Sequence, residues 1–138
     1  MILLDTNIVS ALMTEEADVR VVAWLDSQRP DDLATTAITV FEIQFGLSLM
    51  LPSRRRSLLA QAFTDVLTED LKGRILAFDE TAARAAGDLA ARRQAQGRRV
   101  EAHDTDIAGI AIAHRAAICT RNVRHFEDAG VTLHDPWA

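Results

Sequence analysis

Short β-type runs alternate with longer helical ones along the whole chain, and this alternation constrains the fold more than any single motif does. Strand-like runs fall at residues 1–5, 33–36, 75–78, 117–120 and 131–134. Between them, residues 7–13, 17–28, 40–50, 53–68, 80–96 and 105–115 read as helices. In 53–68 the apolar residues stand at 58, 59, 62, 63, 66 and 67, which is helical spacing. Pro52 punctuates before that stretch, and Gly97 closes the alanine-rich 80–96 stretch as a left-handed terminator. Strands separated by helices call for crossover connections and hence for parallel pairing. Wholly apolar runs such as Ile2–Leu4 suit burial on both faces. The expected fold is a three-layer α/β/α domain around a central, mostly parallel sheet of about five strands.

The 138 residues suit a single domain spanning 1–138, with no internal repeat and no linker rich in Gly, Pro or Ser. No apolar run approaches the ~18–20 residues that cross a bilayer. The opening MILLDTN has an acid at position 5 and no basic region, so a signal peptide is not expected. The lone cysteine, Cys119, rules out an internal disulfide and suits a reducing cytoplasm as a small buried residue. The net charge of −5 argues against a broad basic face for nucleic acid. If the chain acts on nucleic acid, metal ions or local arginine clusters must meet the phosphates; the acidity also suits a basic protein partner.

Open α/β sheets place their sites beyond the carboxyl ends of the strands. Asp5 closes the first strand, Glu42 is expected in the first turn of the helix after the second, and Asn122 follows the fourth. Asp104 opens the helix leading into that fourth strand, so its end returns to the same edge. Carboxylates crowded there repel one another, and a cation removes the penalty. An all-oxygen set suits Mg²⁺ or Mn²⁺, which can orient a phosphodiester and activate water. Each acid also has a local alternative. Asp5 and Asp104 suit helix N-caps, and Thr39 with Glu42 fits a capping box.

Five segments then fall into a recognisable order. Ile2-Leu3-Leu4-Asp5-Thr6-Asn7 is followed by Thr36–Gly46 with its glutamate. Asp104-Thr105-Asp106-Ile107-Ala108-Gly109, Thr120-Arg121-Asn122-Val123-Arg124-His125-Phe126 and Asp135-Pro136-Trp137 complete the series. Together they resemble PIN-domain ribonuclease toxins of the VapC/FitB kind, over essentially the whole chain. The resemblance implies a Mg²⁺- or Mn²⁺-dependent endoribonuclease that leaves a 5′-phosphate. Asp5, Glu42 and Asp104 would be catalytic metal ligands, and Thr6 and Thr120 hydroxyls that hold ligands or water. It also implies a cytoplasmic toxin that forms a homodimer and a heterotetramer or larger assembly with a cognate antitoxin. Operator DNA would be met only through that antitoxin. Asn122 stands where many relatives carry a fourth acid; an amide can ligate or hydrogen-bond but carries no charge, which leaves one or two metal ions open. Asp106 lies two residues beyond Asp104, about 200° around the helix, and is read as a helix-start acid.

Two arginine groups stand out. Arg54, Arg55 and Arg56 could meet RNA phosphates or form a solvated face. Arg92, Arg93, Arg98 and Arg99 crowd the end of the alanine-rich helix, where they complement its dipole and could guide RNA toward Asp104. The histidines, His103, His114, His125 and His134, show no zinc spacing. His103 beside Asp104 could assist proton transfer or simply lie at the surface. Phe41, Phe45, Leu47 and Met50 share helical spacing, as core or as a dimer face. Trp24 and Trp137 read as packing anchors. The competing function is a catalytically inactive PIN-like binding or regulatory module that keeps the acids as caps. A dehalogenase-type phosphatase would need Asp-x-Asp where this chain has Asp5-Thr6-Asn7, and no phosphate-binding glycine loop is present.

Overall fold

A computed structural model describes residues 1–138. The central strand is β1 (Ile2–Leu4). It pairs in parallel with β2 (Leu33–Thr36) on one side and with β4 (Ala117–Cys119) on the other. Outside them lie β3 (Ile75–Leu76) and β5 (Leu133–His134), giving the order β3-β2-β1-β4-β5 with every pair parallel.

Six helices cover the sheet: α1 (Thr6–Met13), α2 (Val19–Asp26), α3 (Ala37–Leu49), α4 (Arg54–Asp65), α5 (Glu80–Ala95) and α6 (Ala102–His114). Side chains alternate across a strand, and here they feed two separate cores. Leu3, Ala34 and Ile118 pack with Leu89 of α5 and Ile107 and Ile110 of α6. Leu4, Leu33 and Cys119 pack on the other face with Ile8, Val21, Ile43 and Phe63 from α1 to α4. Because both faces are dry, the central β1 and its neighbour β4 are apolar without alternation, as expected for β1.

Two helix starts differ from expectation by three residues, more than any other. α3 begins at Ala37 rather than 40, because the Thr36 side chain caps it by accepting from the Thr39 amide at 3.2 Å. Glu42 therefore lies in the second turn, and the Thr39–Glu42 capping box does not form. α6 begins at Ala102 rather than 105, with Glu101 at the cap position and no side-chain cap bond. Asp104 is thus a first-turn residue and not a cap. The expected helix 53–68 instead ends at Asp65 and passes into a wide π turn, Val66–Asp70. On the α5–α6 side, Gly109 permits close approach. A Cβ there would lie 2.5 Å from the Ala82 carbonyl oxygen and 2.6 Å from the Ala86 Cβ.

Candidate active site

Asp5 extends β1 by one residue: its amide donates to the Cys119 carbonyl at 2.9 Å, and its side chain caps α1 through the Thr6 amide at 2.7 Å. The capping alternative is therefore real for Asp5. It does not account for the residue's burial, at 5% exposed, or for its other partners. Thr120, fully buried just past β4, donates its hydroxyl to the second Asp5 oxygen at 2.7 Å. The Thr120 oxygen in turn accepts from the Asn122 amide at 3.0 Å. Burial pushes the Asp5 carboxyl above the usual carboxylate range. The Thr120 and Thr6 hydrogen bonds oppose this, and the fields of Asp104 and Glu42 add to it.

Glu42 comes down to the same edge from the second turn of α3. The Thr6 hydroxyl donates to its Oε1 at 3.0 Å. With that proton engaged, the 3.2 Å contact between Thr6 and Thr39 is donated by Thr39, and Thr36 donates onward to Thr39 at 3.5 Å. Three hydroxyls thus form a chain that ends on Glu42. Its Oε2 lies 3.6 Å from His103 Nδ1, and the His103 ring stands edge-on to Phe41. Asp104, in the first turn of α6, pairs through Oδ2 with His125 Nδ1 at 2.7 Å. Glu42, His103, Asp104 and His125 line one open depression of about 460 Å³.

The donor chemistry of Asp5, Glu42 and Asp104 suits a hard cation, whose charge would offset the burial that chiefly raises the Asp5 carboxyl and the lesser repulsion from Asp104 and Glu42. As the side chains stand, no three acidic, histidine or cysteine groups gather around a common point. Asp104 is turned onto His125 and Glu42 toward His103. In each acid one oxygen is left free of its histidine.

The six residues singled out from sequence divide accordingly. Asp5 with Thr120, and Glu42 with Thr6, form two bonded pairs, and Asp104 lies within their field. Asn122 reaches Thr120 only through its backbone; its side chain is exposed and makes no hydrogen bond. Three contributors escape the sequence reading. Asn7 donates to Asp5 Oδ2 and to the Thr120 hydroxyl, both at 3.4 Å, and accepts from the Arg121 amide at 3.1 Å. Its place one residue after Thr6 is the available signal. Thr39 reads locally as a cap alone, and nothing in the local pattern pairs His125 with Asp104.

Arg93 reads from sequence as a dipole-complementing surface cation and is instead 3% exposed. It forms a fork to Asp128 at 2.8 and 2.9 Å and donates to the Thr105 hydroxyl and the His125 carbonyl. That arrangement ties α5 to the start of α6 and to the turn carrying His125. Arg54 and Arg55 line a separate groove with Leu12, Met13 and Leu58 that includes none of the three acids. The Asp106 side chain makes no ion pair or hydrogen bond. Burial pushes its carboxyl up, against the field of His103.

Comparison with known proteins returns a family model described as PIN domain, matching residues 2–131. The chain is 39% identical over 137 residues to VapC ribonuclease Y4jK of Sinorhizobium fredii, covering 99% of this chain and 98% of that protein. It is 35% identical to toxin FitB of Neisseria gonorrhoeae over 99% of both. Among solved structures, the structure of FitAB bound to an IR36 DNA fragment superposes with a TM-score of 0.89 at 35% identity. That match covers 100% of this chain and 96% of the other.

Proposed function

The chain belongs to the PIN-domain family, among the VapC/FitB-like toxins, and from that premise we propose that it is a Mg²⁺- or Mn²⁺-dependent endoribonuclease acting as the toxin of a toxin–antitoxin pair. One observation carries the reading: Asp5, Glu42 and Asp104, from three separate segments, share one edge, where Thr6 bonds both Asp5 and Glu42 and one depression is lined by Glu42 and Asp104. Two of the three are not helix caps, so capping alone does not explain the cluster.

In this reading Asp5, Glu42 and Asp104 hold the ion. When bound, it supplies positive charge that orients a phosphodiester and strengthens water as a nucleophile. The chain's own residues prepare the site. Thr120 and the Thr6 amide fix both oxygens of Asp5, and Asn7 braces Thr120. The Thr36–Thr39–Thr6 hydroxyl chain aims Glu42. Such preorganisation keeps the acids from relaxing apart while charge develops at phosphorus.

The partners follow from the same reading. A basic antitoxin suits a chain of net charge −5, and operator DNA is met through it, in line with relatives solved with DNA fragments. Phe41 and Phe45 are not core residues. They stack at 6.1 Å on the outside of α3, more than half exposed, with Leu49 nearby. We read this face as the homodimer contact. The proposed substrate puts the protein's work in the cytoplasm, and no helix is long and apolar enough to cross a membrane.

The test is cleavage of an RNA panel by the purified chain with Mn²⁺ or Mg²⁺, with EDTA, and beside Asp5→Asn. Metal-dependent cutting that the substitution abolishes supports the nuclease. No cutting, together with no Mn²⁺ binding by calorimetry, replaces it with the inactive binding module.

A further inference from the structure

A second pocket adjoins the acid cluster. It holds about 80 Å³, contains no hydrophobic residue, and is lined by Arg93, Arg98, Arg99 and Arg124. It shares Glu101, Asp104 and His125 with the depression over the acids, so the two form one continuous trough. In a chain of net charge −5, four arginines on one small pocket are a marked local excess.

Protein acids do not balance them. Arg93 and Arg98 share the single carboxylate of Asp128, the latter at 2.7 Å. Arg99 reaches Glu101 at 3.0 Å while 88% exposed, a pair that solvent weakens. Arg124 stands in the short turn Val123–His125 and makes no hydrogen bond or ion pair. Four guanidinium groups against Asp128 and Glu101 leave two charges unmatched. Asp104, which also lines the pocket, is paired with His125. The floor is rigid, because buried Arg93 fixes Asp128, Thr105 and the His125 carbonyl together. A helix dipole explains cations at the end of α5, but not Arg124, which comes from a different segment.

We propose that this pocket is a phosphate subsite for the RNA strand, holding a backbone phosphate next to the one presented to the acids. Arg98, Arg99 and Arg124 contact it over the shelf that Arg93 builds. The inference rests on the nuclease reading. A planar guanidinium matches phosphate oxygens in pairs and keeps its charge at any working pH. The acids repel a polyanion, and an arginine subsite beside them supplies the attraction that net charge denies. A strand laid along the trough then reaches the cluster with its register set from one side.

Arg99→Ala/Arg124→Ala is compared with the wild type and with Arg54→Ala/Arg55→Ala, whose arginines line the separate groove. A fluorescein-labelled single-stranded RNA is titrated in EDTA over a salt series, and cleavage is followed with Mn²⁺. The pocket variant is expected to bind several-fold more weakly, and its logarithmic salt slope falls by about 0.7 for each phosphate left without its arginine. In cleavage KM rises while kcat is kept. Arg124→Lys should keep most of the salt slope, and the groove variant should match the wild type. Unchanged slope and KM in the pocket variant, with the wild type still cutting, overturns the subsite and leaves the nuclease standing. Absence of all cutting in the wild type overturns the reading beneath it instead.

Discussion

Asp5 holds a carboxylate where water is nearly excluded and two other acids face it, so its charge costs stability. The sign follows from its raised carboxyl. The folded state binds the proton more tightly than the unfolded chain, so this residue favours folding at low pH. That contribution is lost as pH climbs from the ordinary carboxylate range through the raised value. Asp5→Asn keeps an acceptor for the Thr6 amide and removes the charge. Chemical denaturation across pH should show the metal-free variant gaining on the wild type as pH rises, with cleavage abolished throughout. A variant that falls behind at neutral pH would mean that the charge is already compensated within the protein. Asp128 behaves oppositely. Hydrogen bonds from Arg93 hold its carboxyl below the usual range, so its contribution is present at neutral pH and lost as acid protonates it.

Among the elements, α5 and α6 are the pair whose packing positions Asp104. They approach closely at Gly109, where a methyl group would meet the Ala82 carbonyl and the Ala86 Cβ. Gly109→Ala should destabilise by about 1–3 kcal/mol, read by urea denaturation, because backbone must move to admit it. Arg93→Met keeps bulk but removes the fork to Asp128 and the bonds to Thr105 and the His125 carbonyl. It should cost about 2–3 kcal/mol, and it should lower RNA affinity by loosening the turn that carries Arg124 and His125. If Arg93→Met weakens only stability and leaves RNA binding intact, the turn is held by its own contacts. By contrast Cys119, buried in β4 with its thiol pushed up to about 12 mainly by burial, should resist alkylation in the folded chain.

At the scale of the whole molecule, the sheet order places β1 between β2 and β4, and so brings the ends of all three strands to one edge. An ion bound there would tie strands and helices from both halves of the chain. Mn²⁺ at a hundredfold excess over its Kd should therefore stabilise the fold by about 2.7 kcal/mol, seen as a rise in Tm that Asp5→Asn lacks. The exposed face of α3 makes a separate prediction. Phe45→Lys should shift the chain toward monomer in sedimentation, while a variant at exposed Leu58, on α4, should not.

Much of this architecture is written in local pattern. The alternation of strand and helix, the parallel pairing it demands and the place of Asp5 at a strand end follow from neighbouring residues alone. The motif series from Asp5 to Trp137 carries the family in the same way. Other features depend on residues far apart in the chain. Asp5 is held by Thr120, 115 positions away, and Glu42 by Thr6, 36 positions away. The early start of α3, which frees Glu42 from capping, follows from a Thr36 side chain whose direction periodicity does not encode. Arg93 looks like a surface cation until α5 is packed against α6 and the turn after β4, which bury it. Helical period and turn chemistry are properties of a few consecutive residues, and so the sequence determined them by itself. Which side chains share a dry edge, and which acids keep a free oxygen, are properties of contacts that exist only once the sheet has closed its layers, and those the tertiary structure decided.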